Sequence, residues 1–215
     1  MIAPFLQPDL VWDFRLERVA SINTSAHKYG LVYPGLGWVV WRSVDALPAE
    51  LIFDVTYLGG HMPSFALNFS RPGSQVLLQY YLFLRLGWDG YATVQKATQD
   101  VAVYLAREIA KLPAFRMWGD GTDIPVLAWQ LTPDYTDKWT LFHLSERLRL
   151  RGWLIPAYPM PDDLTDVVVQ RIVVRNGLSR NLAESLMRDI LDAVAYLDAL
   201  EQPMPREGQV TAFTH

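Results

Sequence analysis

The stretch Ser21-Ile22-Asn23-Thr24-Ser25-Ala26-His27-Lys28-Tyr29-Gly30 sets a histidine and a lysine side by side in a segment with no other basic residue. Val19 and Ile22 suggest a short strand, the small polar residues a loop, and Gly30 the end of a turn. Lys28 is hemmed by Tyr29, Leu31, Val32 and Tyr33, so its amine is expected to lose hydration. Desolvation favours the neutral amine, the form that attacks an aldehyde to give a Schiff base. On the dipeptide alone an ordinary loop lysine is the commoner meaning, and His27 fits a structural histidine nearly as well.

Other positions carry weaker signals. Arg171 lies in the apolar run Val167-Val168-Val169-Gln170-Arg171-Ile172-Val173-Val174, where a charged residue needs a partner, most often a structural carboxylate. Ser70 stands before Arg71-Pro72-Gly73, at the start of an expected helix. A serine there is usually an N-cap, although its hydroxyl and the nearby amides can also receive a phosphate. Gly35 and Gly37 do not form a dinucleotide fingerprint, because Val40 stands where the third glycine belongs and no helix opens there. No spacing supports a metal cluster or a Ser-His-Asp arrangement, and His143 reads as a surface residue of a helix.

These residues need elements to position them, and the composition supplies a core. The chain has 215 residues, 51 % hydrophobic and 20 % charged, which marks it as globular rather than disordered. A mean hydropathy of +0.07 with 8 Trp suggests surfaces meant for a partner. The net charge of −4 without a basic run argues against nucleic-acid binding. Absence of cysteine excludes disulfides and thiolate metal sites. Met1-Ile2-Ala3-Pro4 lacks a positive n-region, and the apolar stretch from Val76 to Trp88 is broken by Gln79 and Arg85. A soluble, cytoplasmic protein without membrane contact is expected.

Gly37 to Arg42 reads as a buried strand, and Leu51 to Phe69 as strand, Gly59-Gly60 turn and strand. Pro72-Gly73 opens a helix through Leu86. Gly87 to Gly90 breaks it, and a second helix runs from Tyr91 to about Leu112 with Val94, Val101, Leu105 and Ile109 as its stripe. Beyond Pro113, strands are expected at Phe115 to Trp118, Val126 to Leu131 and Val167 to Val174. Helices are expected at Leu141 to Leu150 and Asn181 to Leu200. Asn181 and Glu184 have capping-box spacing, and Leu182, Leu186, Ile190, Val194 and Leu197 form one stripe. The alternation gives a small α/β domain, Pro203, Pro205 and Gly208 begin an irregular tail, and the central sheet of the larger part is expected to be predominantly parallel.

Ser-x-x-x-Ser-x-His-Lys-Tyr-Gly resembles the cofactor-lysine segment of the group II pyridoxal-phosphate decarboxylases. Tyr29-Gly30, the opening Ala-Pro-Phe…Trp-Asp-Phe-Arg-Leu phrase, Asp54 to His61 and Asn68 to Pro72 resemble the glutamate decarboxylases within that group. The resemblance covers essentially the whole chain but only about the C-terminal half of the family's length, as a truncated gene or a misplaced start would give. It implies a type I, aspartate aminotransferase-like fold: the end of a large cofactor domain over 1–98 and a small C-terminal α/β domain over 99–215.

It also implies pyridoxal 5'-phosphate held by Lys28, with His27 and Ser70 near the phosphate, the latter across a dimer. Arg171 would hold a substrate carboxylate, and Tyr57 would sit on a lid loop over the neighbouring subunit's site. Phe213-Thr214-His215 resembles a family tail whose terminal histidine shuts the site near neutrality and releases it in acid. The implied reaction is L-glutamate to 4-aminobutanoate and carbon dioxide, in a homo-oligomer that is at least a dimer with shared sites. The alternatives are an inactive fragment acting through its dimer surfaces, or a decarboxylase of another amino acid. His61 stands where the family has glutamine. The family's aspartate that protonates the pyridine nitrogen would lie before Met1, and the ring-stacking residue and most phosphate contacts further upstream.

Overall fold

The computed structural model describes residues 1–56, 59–64 and 72–205. The chain divides into two compact units, Met1–Ala92 and Thr93–His215, the division falling inside the long helix that also contains residue 98.

In the first unit α1 (Ala3–Leu6) is a single turn with proline in its first turn. Strand β1 (Ser21–Ser25) runs straight into the one-turn helix α2 (Ala26–Tyr29). Strand β2 (Gly37–Trp41) pairs antiparallel with β1, from Ser21 opposite Trp41 to Ser25 opposite Gly37. The expected buried strand at Gly37 to Arg42 is half open. With β1 as its one pairing partner among the described residues, β2 leaves Trp38 and Val40 exposed. Arg42 at its end donates from Nε to the Val19 carbonyl and from Nη2 to the Phe14 and Leu16 carbonyls, which ties the N-terminal loop to the ribbon. Strands β3 (Phe53–Val55) and β4 (Met62–Ser64) form the short hairpin that Gly59-Gly60 signalled.

Helix α3 (Ser74–Ile109) contains one non-helical residue, Gly87 (φ 58°, ψ −163°). That backbone conformation is open to glycine and to little else. The expected break from Gly87 to Gly90 therefore narrows to a single position, since Asp89 and Gly90 keep helical geometry.

The second unit holds β5 (Phe115–Asp120), β6 (Val126–Leu131), α4 (Leu141–Arg149), β7 (Ala157–Pro159), β8 (Val168–Val173) and α5 (Arg180–Asp198). Its sheet has the order β5-β6-β8-β7, and every strand pair among the described residues is antiparallel. The turn at 121–125 is far too short for a parallel crossover, and β8 inserts between β6 and β7 instead.

One sheet face carries Phe115, Leu127, Trp129 and Ile172 into the core. Leu105 and Ile109 of α3, Leu141, Leu144 and Leu148 of α4, and Leu186, Ile190, Val194 and Leu197 of α5 cover it. The expected α5 stripe is thus present except at Leu182, which is 46 % exposed while Ala183 is buried. The cap differs as well. Ser179 Oγ accepts from the Leu182 amide at 3.2 Å, so the helix starts at Arg180 and Asn181 lies within it. His143 is not a bare surface residue: its Nδ1 accepts from the Thr140 amide at 3.0 Å, closing a capping box at the start of α4.

The C-terminal end of α5 is tied down by Asp198. Its carboxylate accepts from Tyr135 Oη and from Trp139 Nε1, both at 2.7 Å. The hydrogen bond to that carboxylate pushes the Tyr135 phenol up to about 12, with burial and the adjacent negative charge adding to the shift. Among the described residues no helix is long and apolar enough to cross a membrane, and no His, Asp and Glu group could hold a metal ion.

Candidate active site around Lys28

β1 ends in the turn that presents His27 and Lys28. Ala26 is fully buried and anchors the turn, His27 is half-buried and Lys28 is exposed. His27 Nδ1 lies 3.4 Å from the Leu36 carbonyl oxygen. A carbonyl can only accept, so Nδ1 carries the proton in this long contact. Lys28 is exposed and has no hydrogen-bond or ion-pair partner among the described residues. The expected desolvation is therefore not seen in this chain. Val32 turns into the core while Tyr33 is 73 % exposed, so the apolar neighbours in sequence do not surround the amine.

The turn is closely held from behind. Gly30 is buried, and a Cβ there would lie 2.4 Å from the Ala26 carbonyl oxygen. Leu31, the next residue, has φ +66°, a left-handed conformation that costs a β-carbon-bearing residue about 1 kcal/mol or more. Gln79 of α3 and the hydroxyl of Tyr91 both donate to the Gly30 carbonyl, each at 3.1 Å. Burial raises the pKa of Tyr91, with the hydrogen bond from Gln79 acting in the opposite direction. Neither residue stood out as functional in the sequence. The available signal was Gln79 interrupting the apolar stretch from Val76 to Trp88.

The β3–β4 hairpin carries His61, whose Nδ1 lies 2.7 Å from Asp54 Oδ2. The residue that departs from the family pattern thus has a local, exposed hydrogen-bond partner. Tyr57, expected near the tip of this hairpin, lies outside the described residues. So do Ser70 and His215.

Arg171 belongs to the second unit. It sits on β8, opposite Ala128 of β6, with its side chain on the face of the sheet away from the core. No carboxylate pairs with it among the described residues; its guanidinium lies 5.7 Å from the ring centroid of Tyr158. It lines a cavity of about 170 Å³ together with Trp153, Ile155 and Leu178. The structural salt bridge that such a strand usually implies is absent among the described residues, which leaves the planar fork available to a ligand carboxylate. The structure thus brings together His27 and Lys28 on one turn, and sets Arg171 on an open sheet face of the other unit.

The chain is 45 % identical to the glutamate decarboxylase of Lactococcus lactis subsp. lactis along its full length, covering 47 % of that protein. It is 53 % identical to the glutamate decarboxylase of Aliivibrio fischeri over 91 % of the chain and 42 % of that protein. Among solved structures it resembles Lactobacillus brevis glutamate decarboxylase with a TM-score of 0.85 at 49 % identity, over 93 % of this chain and 45 % of that one. It also resembles the Burkholderia pseudomallei sphingosine-1-phosphate lyase with a TM-score of 0.69 at 25 % identity, over 86 % of this chain and 40 % of that one. The chain spans less than half the length of each of these relatives. Residues 1–131 match the pyridoxal-dependent decarboxylase conserved domain, and with it the type I, mixed α/β architecture described above, so this chain belongs to the pyridoxal-dependent decarboxylase family.

Proposed function

We propose that this chain provides the cofactor lysine, Lys28, and the substrate-carboxylate arginine, Arg171, of a pyridoxal-phosphate enzyme that converts L-glutamate to 4-aminobutanoate and carbon dioxide. The observation that carries the proposal is the Lys28 amine itself, exposed and unpartnered on a closely held turn at the end of β1. The likeness to proteins named glutamate decarboxylases supports the choice of substrate.

The donor set fits the aldehyde end of the cofactor. A primary amine without an internal ion pair is available for covalent attachment, and the His27 imidazole stands beside it. When bound, pyridoxal phosphate supplies the electron-withdrawing ring that takes up the electron pair left by the departing carboxylate.

The chain's own residues do the rest. Lys28 Nζ would hold the cofactor aldehyde, and its amine would be placed to deliver a proton to the carbon that has lost its carboxylate. His27 and the Ser70 hydroxyl bind the phosphate, Ser70 from the second subunit of a dimer. Arg171 grips a glutamate carboxylate with two parallel hydrogen bonds and so orients the bond to be broken. Tyr57 covers the neighbouring site, and His215 closes it near neutral pH. We assign the enzyme to the cytoplasm on family resemblance.

Release of labelled carbon dioxide from carboxyl-labelled L-glutamate by the cofactor-loaded protein tests the proposal. Release from glutamate, abolished in Lys28→Ala, is the expected result. Release from an aromatic amino acid and none from glutamate would overturn it.

A further inference from the structure

Helix α3 grips the loop behind Lys28 at two points one turn apart. Gln75 Nε2 donates to the Pro34 carbonyl at 3.2 Å, and Gln79 Nε2 to the Gly30 carbonyl at 3.1 Å. The second hydrogen of the Gln79 amide goes to Tyr91 Oη at 2.9 Å, and the Tyr91 hydroxyl donates in turn to the Gly30 carbonyl at 3.1 Å. Both lone pairs of that carbonyl are filled, and the three groups close a triangle. The amide orientation follows from its partners, since a flipped Gln79 would set oxygen against oxygen at Gly30.

The triangle is dry. Gln79 is 5 % exposed and Tyr91 1 %, and the rings of Phe5 and Phe83 lie 5.4 and 5.5 Å from that of Tyr91. Burying a glutamine and a phenol inside an aromatic cluster is costly, the more so because Gln79 Oε1 has no hydrogen-bond partner among the described residues, and the hydrogen bonds the two do make fix one geometry where apolar groups allow several. Everything they hold is the backbone two residues beyond Lys28. Gly30 has no room for a side chain there, its Cβ position lying 2.7 Å from Gln79 Oε1, and Leu31 is kept left-handed next to it.

We propose that Gln79 and Tyr91 are positioning residues for Lys28: by donating together to the Gly30 carbonyl they hold the α2 turn so that the exposed amine has one fixed direction. This rests on Lys28 being the cofactor lysine. Neither side chain touches cofactor or substrate; each acts through the backbone of the turn.

The test uses the whole 215-residue chain, unsubstituted and as Gln79→Leu, Tyr91→Phe and Gln79→Glu. Tyr91→Phe removes one hydroxyl from a site whose aromatic packing is kept, so it remains informative if Gln79→Leu folds poorly. Two readouts are taken: amide hydrogen exchange over residues 28–32, and the rate at which pyridoxal phosphate with borohydride labels Lys28 relative to Lys138 in the same molecule. Gln79→Leu is expected to speed exchange in that segment about tenfold and to slow Lys28 labelling about tenfold, with smaller changes in Tyr91→Phe, as loss of one or two buried hydrogen bonds implies. Lys138 labelling stays constant.

Gln79→Glu carries the sharper signature. The groups that touch position 79 are the Gly30 carbonyl and the Tyr91 hydroxyl, and only the new carboxyl titrates in the acid range. Protonated, it donates to Gly30, so its labelling relative to Gln79→Leu recovers as pH falls. Native exchange and native labelling in both Gln79→Leu and Tyr91→Phe would overturn the inference alone. An unsubstituted chain labelled no faster at Lys28 than at Lys138 would overturn the assignment of Lys28, and this inference with it.

Discussion

The two units differ in how far each completes its own core. Residues 93–215 enclose a continuous apolar interior in which Leu105, Leu127, Trp129, Leu144, Ile190 and Leu197 are all fully buried. Residues 1–92 bury Ile2, Ala26, Val32 and Tyr91 but leave a stripe of α3 open, with Leu77 71 % and Leu84 69 % exposed beside Val76, Tyr80, Tyr81 and Trp88. Side chains at these spacings lie along one side of a helix, and a face so apolar is built to be covered. The Lys28 turn belongs to the less complete unit. What keeps it in shape there is a polar clamp, Gln79 and Tyr91 on Gly30, rather than a large hydrophobic interior. The proposed site and the larger core thus lie in different parts of the chain.

Substitutions should separate these parts. The largest effect is expected at Trp129→Ala, which opens a cavity beneath the four-stranded sheet and should lower the stability of the second unit by about 3–5 kcal/mol in denaturant melts. Asp198→Ala should cost about 2–3 kcal/mol by the same measurement, since it strands Tyr135 Oη and Trp139 Nε1.

The Tyr135 pair also has a pH signature. The folded phenol, raised to about 12, lies above its unfolded value of 10.0, so the folded state holds the proton more tightly. Its stabilisation is complete below pH 10 and is lost as pH rises towards 12. Tyr135→Phe should remove that part of the alkaline limb when stability is followed against pH. The smallest change is expected on the open face of α3. Leu77→Ser with Leu84→Ser should shift stability by less than about 0.5 kcal/mol per site while sharply reducing binding of a hydrophobic dye. A loss as large as that of Trp129→Ala would show that the first unit hides this face.

Most of the elements were legible from periodicity, because the apolar stripes of α3 and α5 and the strands around Phe115, Val126 and Val168 recur at helical or extended spacing. The strand order was not. Alternating strands and helices give an α/β class without fixing which strands pair, and only the contacts show β8 entering between β6 and β7. The cap of α5 was misplaced by two residues because Ser179 and Asn181 are both good capping types, and the choice depends on which amide the side chain meets. Lys28 and its neighbours could be read from a family pattern. The exposure of its amine could not, since Val32 and Tyr33 are equally apolar in sequence yet point in different directions. Gln79 and Tyr91 are separated from Gly30 by 49 and 61 positions, a pairing that no local pattern announces.

Reduction with borohydride after incubation with pyridoxal phosphate, followed by peptide mass spectrometry, tests the central assignment most directly. The adduct is expected on Lys28 and should vanish in Lys28→Ala. An adduct mainly on Lys96 or Lys111, which are engaged by Asp100 and Glu108 here, would contradict it.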